Sequence, residues 1–326
     1  MIPFSRDDMN ASLPGSRPDS AVPVVAAVVV TFNPAADTLE AQLLALRPQV
    51  ARVILVDNGS RAEAMAVIRE LAERQACDLL PLGDNVGIGA AQNRGIEAAL
   101  ARQADYVLLM DHDSVPFDDM VARLVDADRE LRAGGVAVAA VAPTTVDKRN
   151  GITGKFVRLA GWSVQRRGFE EAGAFIEADF LIASGTLIHR DVLTRVGVMN
   201  ESYFIDHVDT EWCFRARHRD GHLFGVDGAR LYHELGDSVR RVWLGRWRNV
   251  FVHSPMRDYY AFRNTILMIR GTPMPLAWKL HFLYRLCQFV VCFGIGIAPR
   301  LRRLKCMGVG LLHGFAGKSG RMPADV

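Results

Sequence analysis

The chain has 326 residues, of which half are hydrophobic and 23% are charged, as expected for a globular protein with one large domain and an appendage. Its five cysteines are scattered, odd in number and without a C-x-x-C pair, which argues against a disulfide framework and against a zinc site. Residues 1–22 are polar and lack an apolar stretch of signal-peptide length. We expect them to form a flexible tail on a cytoplasmic protein.

Charge is distributed unevenly along the chain. Residues 240–326 hold 15 Lys and Arg against two acids, a net charge of +13, whereas residues 1–239 carry −10. The basic part also contains an apolar run, residues 286–298, that is too short to span a bilayer comfortably. We expect a helical segment that docks on the inner face of the cytoplasmic membrane, or, alternatively, an apolar run that packs on the body. The basic residues that flank the run are Arg300, Arg302, Arg303 and Lys305.

Apolar runs alternate with helical spacing through the first third of the chain. This alternation predicts an α/β fold with a mostly parallel sheet that helices cover on both faces. In such sheets, ligands bind at the carboxyl ends of the strands. The predicted strands are residues 24–31, 52–56, 78–80 and 106–109, and the predicted helices are residues 36–46, 61–75 and roughly 88–102.

Each of the first three predicted strands ends in polar residues. The glycine-rich loop after the third strand reads G-x-x-x-G-x-G, which differs from the dinucleotide-binding signature of oxidoreductases. Its backbone N–H groups, with the amides of Asn85 and Asn93, can bind a nucleotide or sugar. A simple strand-to-helix turn is the alternative. The polar strand ends are Thr31-Phe32-Asn33, Asp57-Asn58-Gly59 and residues 83–89.

Two acidic clusters point to catalysis. Asp111 and Asp113 follow the fourth strand at i and i+2, a spacing suited to a divalent cation that also binds substrate phosphates. The second cluster can supply a carboxylate base, because crowded carboxylates tend to have raised pKa values. An acid-rich helix N-terminus is the alternative, although it explains neither Trp212 nor Arg215. The second cluster reads Asp206-His207-Val208-Asp209-Thr210-Glu211-Trp212.

Five motifs, in order, resemble the inverting family 2 glycosyltransferases, which have the GT-A fold. The stretch at 203–211, with Arg257-Asp258-Tyr259-Tyr260 and Arg263-Asn264, further resembles bacterial rhamnosyltransferases, including the second rhamnosyltransferase of rhamnolipid synthesis. The resemblance implies a GT-A domain at residues 23–239 and a helical C-terminal segment at residues 240–326. The five motifs lie at residues 28–33, 56–60, 83–95, 111–113 and 209–215.

The resemblance also implies site roles. Asp57 would accept the N3–H of the pyrimidine, and Asp113 would bind Mg²⁺ or Mn²⁺, which neutralises the departing nucleoside diphosphate. Asp111 would contact ribose or metal-bound water. His233 would be a further metal ligand or, equally well, a buried structural histidine. The residues expected to bind the nucleotide sugar are Thr31, Phe32, Asn33, Asp57, Asn58, Asn85, Gly87, Asn93, Asp111 and His112.

For the base, the resemblance aligns Asp209 with the family's catalytic aspartate and Glu211 with the acid two residues later. The family more often has Glu-Asp where this chain has Val208-Asp209, which leaves Asp206, one turn earlier if helical, as a substitute carboxylate. Measured loss of the chemical step on changing Asp209 or Glu211 would discriminate between them. The residues expected to contact the acceptor are Asp206, His207 and Trp212.

The expected reaction moves L-rhamnose from dTDP-L-rhamnose to a hydroxyl of mono-rhamnolipid, giving di-rhamnolipid. Synthesis of O-antigen or another cell-surface polysaccharide on a lipid carrier is the alternative. A nucleic-acid binder would explain the basic segment but not its long apolar runs, so no nucleic acid is expected as a partner. A catalytically dead sugar-nucleotide sensor would have lost the acidic clusters, and both are present.

Overall fold

The central sheet is organised around a strand that is buried along its whole length. In the computed structural model, which describes residues 22–149, 151–169, 173–233, 238–243 and 247–324, this strand is β1 (Val25–Thr31). Its apolar, mostly β-branched residues suit a strand covered on both faces. The expected tail, residues 1–22, lies outside the described residues except for Val22.

The first half of the sheet is parallel, as predicted. β1 pairs with two strands that run in its own direction, and the sheet continues through a third at the edge. The strands and their connecting helices agree with the predicted bounds to within two residues, so the α/β prediction is confirmed. These elements are β2 (Arg52–Asp57), β3 (Asp78–Pro81), β4 (Tyr106–Asp111), α1 (Ala36–Leu46), α2 (Ala62–Arg74) and α3 (Ile88–Ala101).

The second half of the sheet is mixed. The strand order is β3-β2-β1-β4-β10-β6-β11-β5, with β9 also paired to β11. β10 is antiparallel to both of its neighbours, whereas β6 and β11 are parallel. A separate hairpin, β7 and β8, adds a small second sheet. These strands are β5 (Val115–Pro116), β6 (Val138–Val146), β7 (Phe156–Ala160), β8 (Ser163–Arg167), β9 (Phe175–Ala178), β10 (Leu187–His189) and β11 (His222–Tyr232).

Helices bury both faces of the sheet. On one face, Leu39 of α1 and Ile68 of α2 are fully buried against β1 and β2. On the other face α3 approaches so closely that a Cβ on Gly95 would lie 2.1 Å from Val28 Cγ1. Only glycine permits that distance, which brings the start of α3 to the carboxyl edge of the strands. The remaining helices before the C-terminal segment are α4 (Met120–Ala133), α5 (Arg190–Val196) and α6 (Val208–His218).

The C-terminal segment is helical from residue 255 onward. It contains a hairpin of β12 (Ser238–Trp243) and β13 (Trp247–Val252), followed by α7 (Pro255–Gly271), α8 (Leu276–Phe289) and α9 (Arg300–Phe315). α7 and α9 pack directly on each other, because Gly310 and Gly314 of α9 let the backbones approach. Among the described residues, no helix is both long and apolar enough to cross a membrane.

The structure bears on two expectations about the C-terminal segment. Arg303 was expected to face lipid, but its side chain is 3% exposed and forms a buried ion pair with Asp258 of α7. The apolar run at 286–298 packs on the protein only in part. Phe293 and Ile297 are buried beside α7 and α9, whereas other residues of the run remain exposed.

α7 also holds the segment that leads into α6. Residues 203–207 contain three non-glycine residues with positive φ: Phe204, Asp206 and His207. The Asn264 amide donates to the carbonyls of Tyr203, Ile205 and Asp206 at 2.9, 2.7 and 3.1 Å. Arg263, fully buried, donates to the Tyr203 carbonyl at 2.8 Å. These bonds offset a backbone conformation that costs about 1–3 kcal/mol per strained residue.

The packing of α7 on α9 predicts a difference between two glycines of the same helix. A Cβ on Gly310 would lie 2.5 Å from the Tyr259 carbonyl oxygen, whereas a Cβ on Gly308 would meet nothing within 4 Å. We expect Gly310→Ala to lower the free energy of unfolding by about 1–3 kcal/mol. Gly308→Ala should raise it by up to about 1 kcal/mol. Urea denaturation measures both, and equal effects would contradict the packing.

The anchoring of residues 203–207 predicts that Asn264 acts as a donor. Asn264→Asp keeps the shape but aims a carboxylate at three carbonyls, so we expect a loss of about 3 kcal/mol or more in the free energy of unfolding. Asn200→Asp is the matched control, because the Asn200 side chain accepts hydrogen bonds from Ser202, a role that aspartate keeps. Thermal denaturation that ranks the control as the more damaged variant would refute this role.

Candidate active site

The ends of β1 and β2 are joined through Asp57. Thr31 Oγ1 donates to Asp57 Oδ1 at 3.1 Å, and the Ser60 N–H donates to Asp57 Oδ2 at 3.0 Å. Asp57 is 2% exposed, so these bonds fix the direction of its carboxylate. A carboxylate has about four lone-pair sites, which leaves acceptor capacity for a ligand N–H.

The loops after β1 and β2 also brace each other. The Asn33 N–H donates to Ser60 Oγ at 2.8 Å, and Asn33 Oδ1 accepts from the Arg61 N–H at 2.9 Å. Asn33 has a φ of +47°, a conformation that asparagine tolerates better than most residues. Between these anchored residues, the Phe32 side chain is 43% exposed. The edge therefore offers an open aromatic ring beside a fixed carboxylate.

The glycine-rich loop is held against the end of β2. Asn58 Oδ1 accepts from the Val86 N–H at 2.9 Å, and the Asn58 amide donates to Asn85 Oδ1 at 3.2 Å. Gly87 has a φ of +92°, and a Cβ there would lie 2.7 Å from the Phe204 carbonyl oxygen. The loop therefore meets residues 203–207 directly, and α3 begins at this contact.

Asn93 lies deeper than the other predicted donor-binding residues. Its amide group donates to the Met199 carbonyl and to Glu201, and its oxygen accepts from the Met199 N–H at 2.9 Å. The side chain is 1% exposed. In this geometry both ends of the amide hold α3 against residues 199–201.

Asp111, Asp113 and His233 come together at the carboxyl edge. One ligand atom from each lies within 4.8 Å of the other two. β5 brings them together, because it pairs with the end of β11 and so carries the Asp111–Asp113 turn to His233. Ser114 Oγ lies 2.7 Å from His233 Nδ1 and orients the ring.

The electrostatics of this group fit a cation. Burial raises the pKa of Asp111 to about 6, and the neighbouring charge of Asp113 adds to the effect. Burial also disfavours the Asp113 carboxylate, but hydrogen bonding and charge from His233 outweigh it and lower its pKa. Two carboxylates and an imidazole offer the hard oxygen and nitrogen ligands that Mg²⁺ or Mn²⁺ accepts. A bound cation would relieve the repulsion between the two acids.

A chain of hydroxyl groups supports the acidic turn. Ser184 Oγ donates to Ser114 Oγ at 2.8 Å and accepts from the Asp111 N–H at 3.2 Å. His112 Nδ1 lies 3.3 Å from the Val30 carbonyl oxygen, which ties this ring to the end of β1. Sequence reasoning missed both serines. Ser114 adjoins the acidic motif and could have been found, whereas no sequence signal marks Ser184.

Asp209 lies in the first turn of α6, facing the same edge. The Ala183 N–H donates to Asp209 Oδ2 at 3.2 Å, and the Thr210 N–H donates to Asp209 Oδ1 at 2.7 Å. Burial raises the pKa of Asp209, although these hydrogen bonds oppose the shift. The charge of Asp209 is also among the causes that raise the pKa of Asp111. Ser184, the neighbour of Ala183, accepts from the Asp111 N–H at 3.2 Å, so the two acidic clusters, about a hundred residues apart in sequence, converge.

Glu211 and Trp212 occupy the interior side of α6. Glu211 is 3% exposed and accepts from Arg215 Nε at 2.7 Å. Burial raises the pKa of Glu211, with the charge of Arg215 acting against it. Trp212 is 1% exposed, and its indole donates to the Gly197 carbonyl at 2.8 Å. Both side chains are therefore held by partners inside the protein.

Asp206 and His207 precede α6 and are anchored by α7. Asp206 has a φ of +66° and is not helical, so it does not lie one helical turn before Asp209. Its carboxylate binds Arg257 through both oxygens. His207 Nε2 lies 3.0 Å from Thr265 Oγ1, and burial lowers the pKa of His207 to about 4. The contacts of Arg257 and Thr265 were not foreseen, because sequence patterns do not report which helix will cover a loop.

Known proteins share both the sequence pattern and the fold. The pattern of Glycosyl transferase family 2 matches residues 26–197. The chain is 31% identical to the dTDP-rhamnosyl transferase RfbF of Shigella flexneri over 263 residues, which cover 78% of this chain and 83% of the relative.

Solved glycosyltransferase structures resemble the fold at low sequence identity. Residues 1–349 of TarS from S. aureus, in complex with UDP-GlcNAc, superpose with a TM-score of 0.57 at 14% identity, covering 89% of this chain and 81% of that one. The mannosyltransferase PcManGT from Pyrobaculum calidifontis, with GDP-Man and Mn²⁺, gives 0.53 at 14% identity, covering 94% and 78%. GalNAc-T7 with UDP, GalNAc and Mn²⁺ gives 0.54 at 14% identity, covering 82% of this chain but only 55% of that longer chain.

These findings agree with the geometry. A parallel strand edge carries a fixed carboxylate, an Asp-x-Asp turn with a histidine, and an acid at the start of a buried helix. The same fold and sequence pattern occur in enzymes that transfer sugars. The chain therefore belongs to Glycosyl transferase family 2 and is a glycosyltransferase of the GT-A fold.

Proposed function

We propose that this enzyme is an inverting rhamnosyltransferase that moves L-rhamnose from dTDP-L-rhamnose to a hydroxyl of an amphiphilic glycolipid. The observation that carries the proposal is the convergence of Asp209 with Asp111, Asp113 and His233 at one strand edge. The choice of sugar nucleotide draws support from the 31% identity to a dTDP-rhamnosyl transferase.

The donor binds along the ends of β1, β2 and β4. Asp57, fixed by Thr31 and Ser60, accepts the N3–H of the pyrimidine, a contact that thymine and uracil both offer. Phe32 and Asn33 border the pyrimidine. Asn58, Asn85 and Gly87 fix the glycine-rich loop, which lies beside the donor. Asp111 and His112 lie next to the ribose and the phosphates.

A divalent cation fits the acidic group beside the donor. Asp113 and His233 would hold Mg²⁺ or Mn²⁺, with Asp111 as a direct or water-mediated ligand. When bound, the cation supplies positive charge that neutralises the departing nucleoside diphosphate. The solved structures of GalNAc-T7 and PcManGT were obtained with Mn²⁺, which supports this choice of metal class.

Asp209 is the catalytic base. Its carboxylate takes the proton of the acceptor hydroxyl as the oxygen attacks the anomeric carbon from the face opposite the diphosphate, and the configuration inverts in one displacement. A carboxylate whose pKa is raised by burial suits a base that works near neutrality. Glu211 supports Asp209 indirectly, by fixing α6 through Arg215.

The acceptor is mono-rhamnolipid, which would give di-rhamnolipid, or a saccharide on a lipid carrier for cell-surface polysaccharide. Both are amphiphiles, and the exposed apolar residues of the C-terminal helices suit an enzyme on the inner face of the cytoplasmic membrane. Purified enzyme with labelled dTDP-L-rhamnose should transfer the label to one of these two lipid classes. Transfer to neither, or equal use of other sugar nucleotides, would refute the proposal.

Replacing the base should separate binding from chemistry. We expect Asp209→Asn to retain donor affinity in calorimetry but to lower kcat by about two to four orders of magnitude. Wild-type activity should fall as the pH drops through the raised pKa of Asp209, because a protonated carboxyl cannot accept the hydroxyl proton. Glu211→Gln is the control and should cost less kcat. The opposite ranking would transfer the role of base to Glu211.

Removing the cation should abolish transfer. We expect excess EDTA to stop the reaction and Mn²⁺ or Mg²⁺ to restore it, and Asp113→Asn to weaken cation and donor binding by about tenfold or more with an unchanged melting temperature. Asp119→Asn, which changes an exposed acid nearby in the chain, serves as the control. Full activity of the wild type in EDTA would exclude a role for the cation.

A further inference from the structure

The buried face of α1 carries a glutamine among its leucines. Gln42 lies beside Leu39, Leu43 and Leu46, and all four side chains are 0% exposed. Helical periodicity favours an apolar residue at each of these positions. A buried amide destabilises a fold unless its polar atoms are hydrogen-bonded. The presence of glutamine at this position therefore points to a polar contact that an apolar side chain could not make.

One end of this amide has a partner and the other end has none. Gln42 Nε2 donates to the Asp111 carbonyl oxygen at 2.6 Å. Gln42 Oε1 is buried and, among the described residues, has no hydrogen-bond partner. Leucine or methionine would avoid this unpaired acceptor, so stability alone does not explain the glutamine. Residues that break a packing rule without a gain in stability occur chiefly where function requires them.

The carbonyl that Gln42 holds belongs to the acidic turn. The Asp111 carbonyl also accepts from the Ser114 N–H at 3.3 Å, so it closes the turn that contains Asp113. The Asp111 N–H in its turn donates to Ser184 Oγ at 3.2 Å. The backbone of Asp111 is therefore held from two separate parts of the fold, and α1 supplies one of these contacts.

A fixed turn matters because its carboxylates repel each other. Ligand atoms of Asp111, Asp113 and His233 all lie within 4.8 Å of one another. Like charges at this separation favour any movement that takes them apart, and a turn that was free to open would allow it. Divalent cations also require oxygen ligands at defined distances. Loss of a group that orients metal ligands commonly lowers metal affinity by about 10- to 100-fold.

We propose that Gln42 is a positioning residue for the divalent cation. By holding the Asp111 carbonyl, it keeps the carboxylates of Asp111 and Asp113 together before the cation binds. The inference rests on the cation of the proposed function and adds a residue of α1 that does not itself bind the metal. A glutamine with a purely structural role would behave in the opposite way, because its loss would lower stability and leave cation affinity unchanged.

The test measures cation affinity and stability in the same variants. Gln42→Met and Gln42→Leu each remove the donor and the unpaired acceptor together. Mn²⁺ is titrated into the full chain in the presence of dTDP and followed by electron paramagnetic resonance. We expect the Mn²⁺ dissociation constant to rise about tenfold or more in both variants. Their melting temperatures should stay within about 2 °C of the wild type or rise.

Gln49 provides the matched control. It lies in the turn that follows α1, where its Nε2 donates to the carbonyls of Ala45 and Phe117 at 2.8 and 2.9 Å. Gln49 Oε1 accepts from the Val121 N–H at 3.1 Å, so both ends of this amide are used. Gln49→Met should lower the melting temperature by about 2 °C or more and leave Mn²⁺ affinity unchanged.

The outcomes separate this inference from the proposed function. Wild-type Mn²⁺ affinity in both Gln42 variants would overturn the positioning role and leave the proposed function intact. Gln42 variants that melt below Gln49→Met would also overturn it, because general damage to the fold would then explain the weaker binding. A wild-type chain that binds no Mn²⁺ beside dTDP would refute the cation of the proposed function, and this inference with it.

Discussion

The architecture of the site depends on one strained turn. Residues 203–207 adopt left-handed backbone at Phe204, Asp206 and His207, and α7 holds them there through the Asn264 amide and the Arg263 guanidinium. The Phe204 carbonyl accepts from the Ile88 N–H at 2.7 Å, so the start of α3 is tied to the same turn. The glycine-rich loop, the start of α6 and the C-terminal helices therefore meet at this turn, and buried hydrogen bonds offset the strain in its backbone.

Chemically similar acids have different neighbours in this part of the protein. Asp57 is buried and hydrogen-bonded by Thr31 and Ser60, which suits a fixed acceptor of a ligand N–H. Glu211 is equally buried but paired with Arg215, which gives it a structural role in α6. Asp209 is half-buried without a cationic partner in its described contacts, and its raised pKa suits proton transfer. Neighbouring groups, not residue type, distinguish these roles.

The C-terminal segment supports the turn that leads into α6. Its charge of +13 suggested an appendage whose basic residues face a membrane, yet Arg303 is buried against Asp258 and Arg263 supports residues 203–207. Arginines of one segment thus serve two purposes. Some donate to carboxylates or backbone carbonyls inside the protein, whereas others, such as Arg302, remain exposed. A net charge counts both kinds alike, because it carries no information about burial.

The sequence by itself determined the α/β class, the strand ends that carry polar groups, and the family, because hydrophobic periodicity and the order of five short motifs are local properties. Asp111, Asp113 and Asp209 were predicted as site residues on the same grounds. Only the tertiary structure decided that Asp206 is not helical and that Ser184 supports the acidic turn. It also decided that Asn93 and Trp212 are buried and hydrogen-bonded to backbone groups. These outcomes depend on which distant element packs against each residue: α7 on residues 203–207, α3 on residues 199–201. Such long-range contacts leave no periodic trace in the chain.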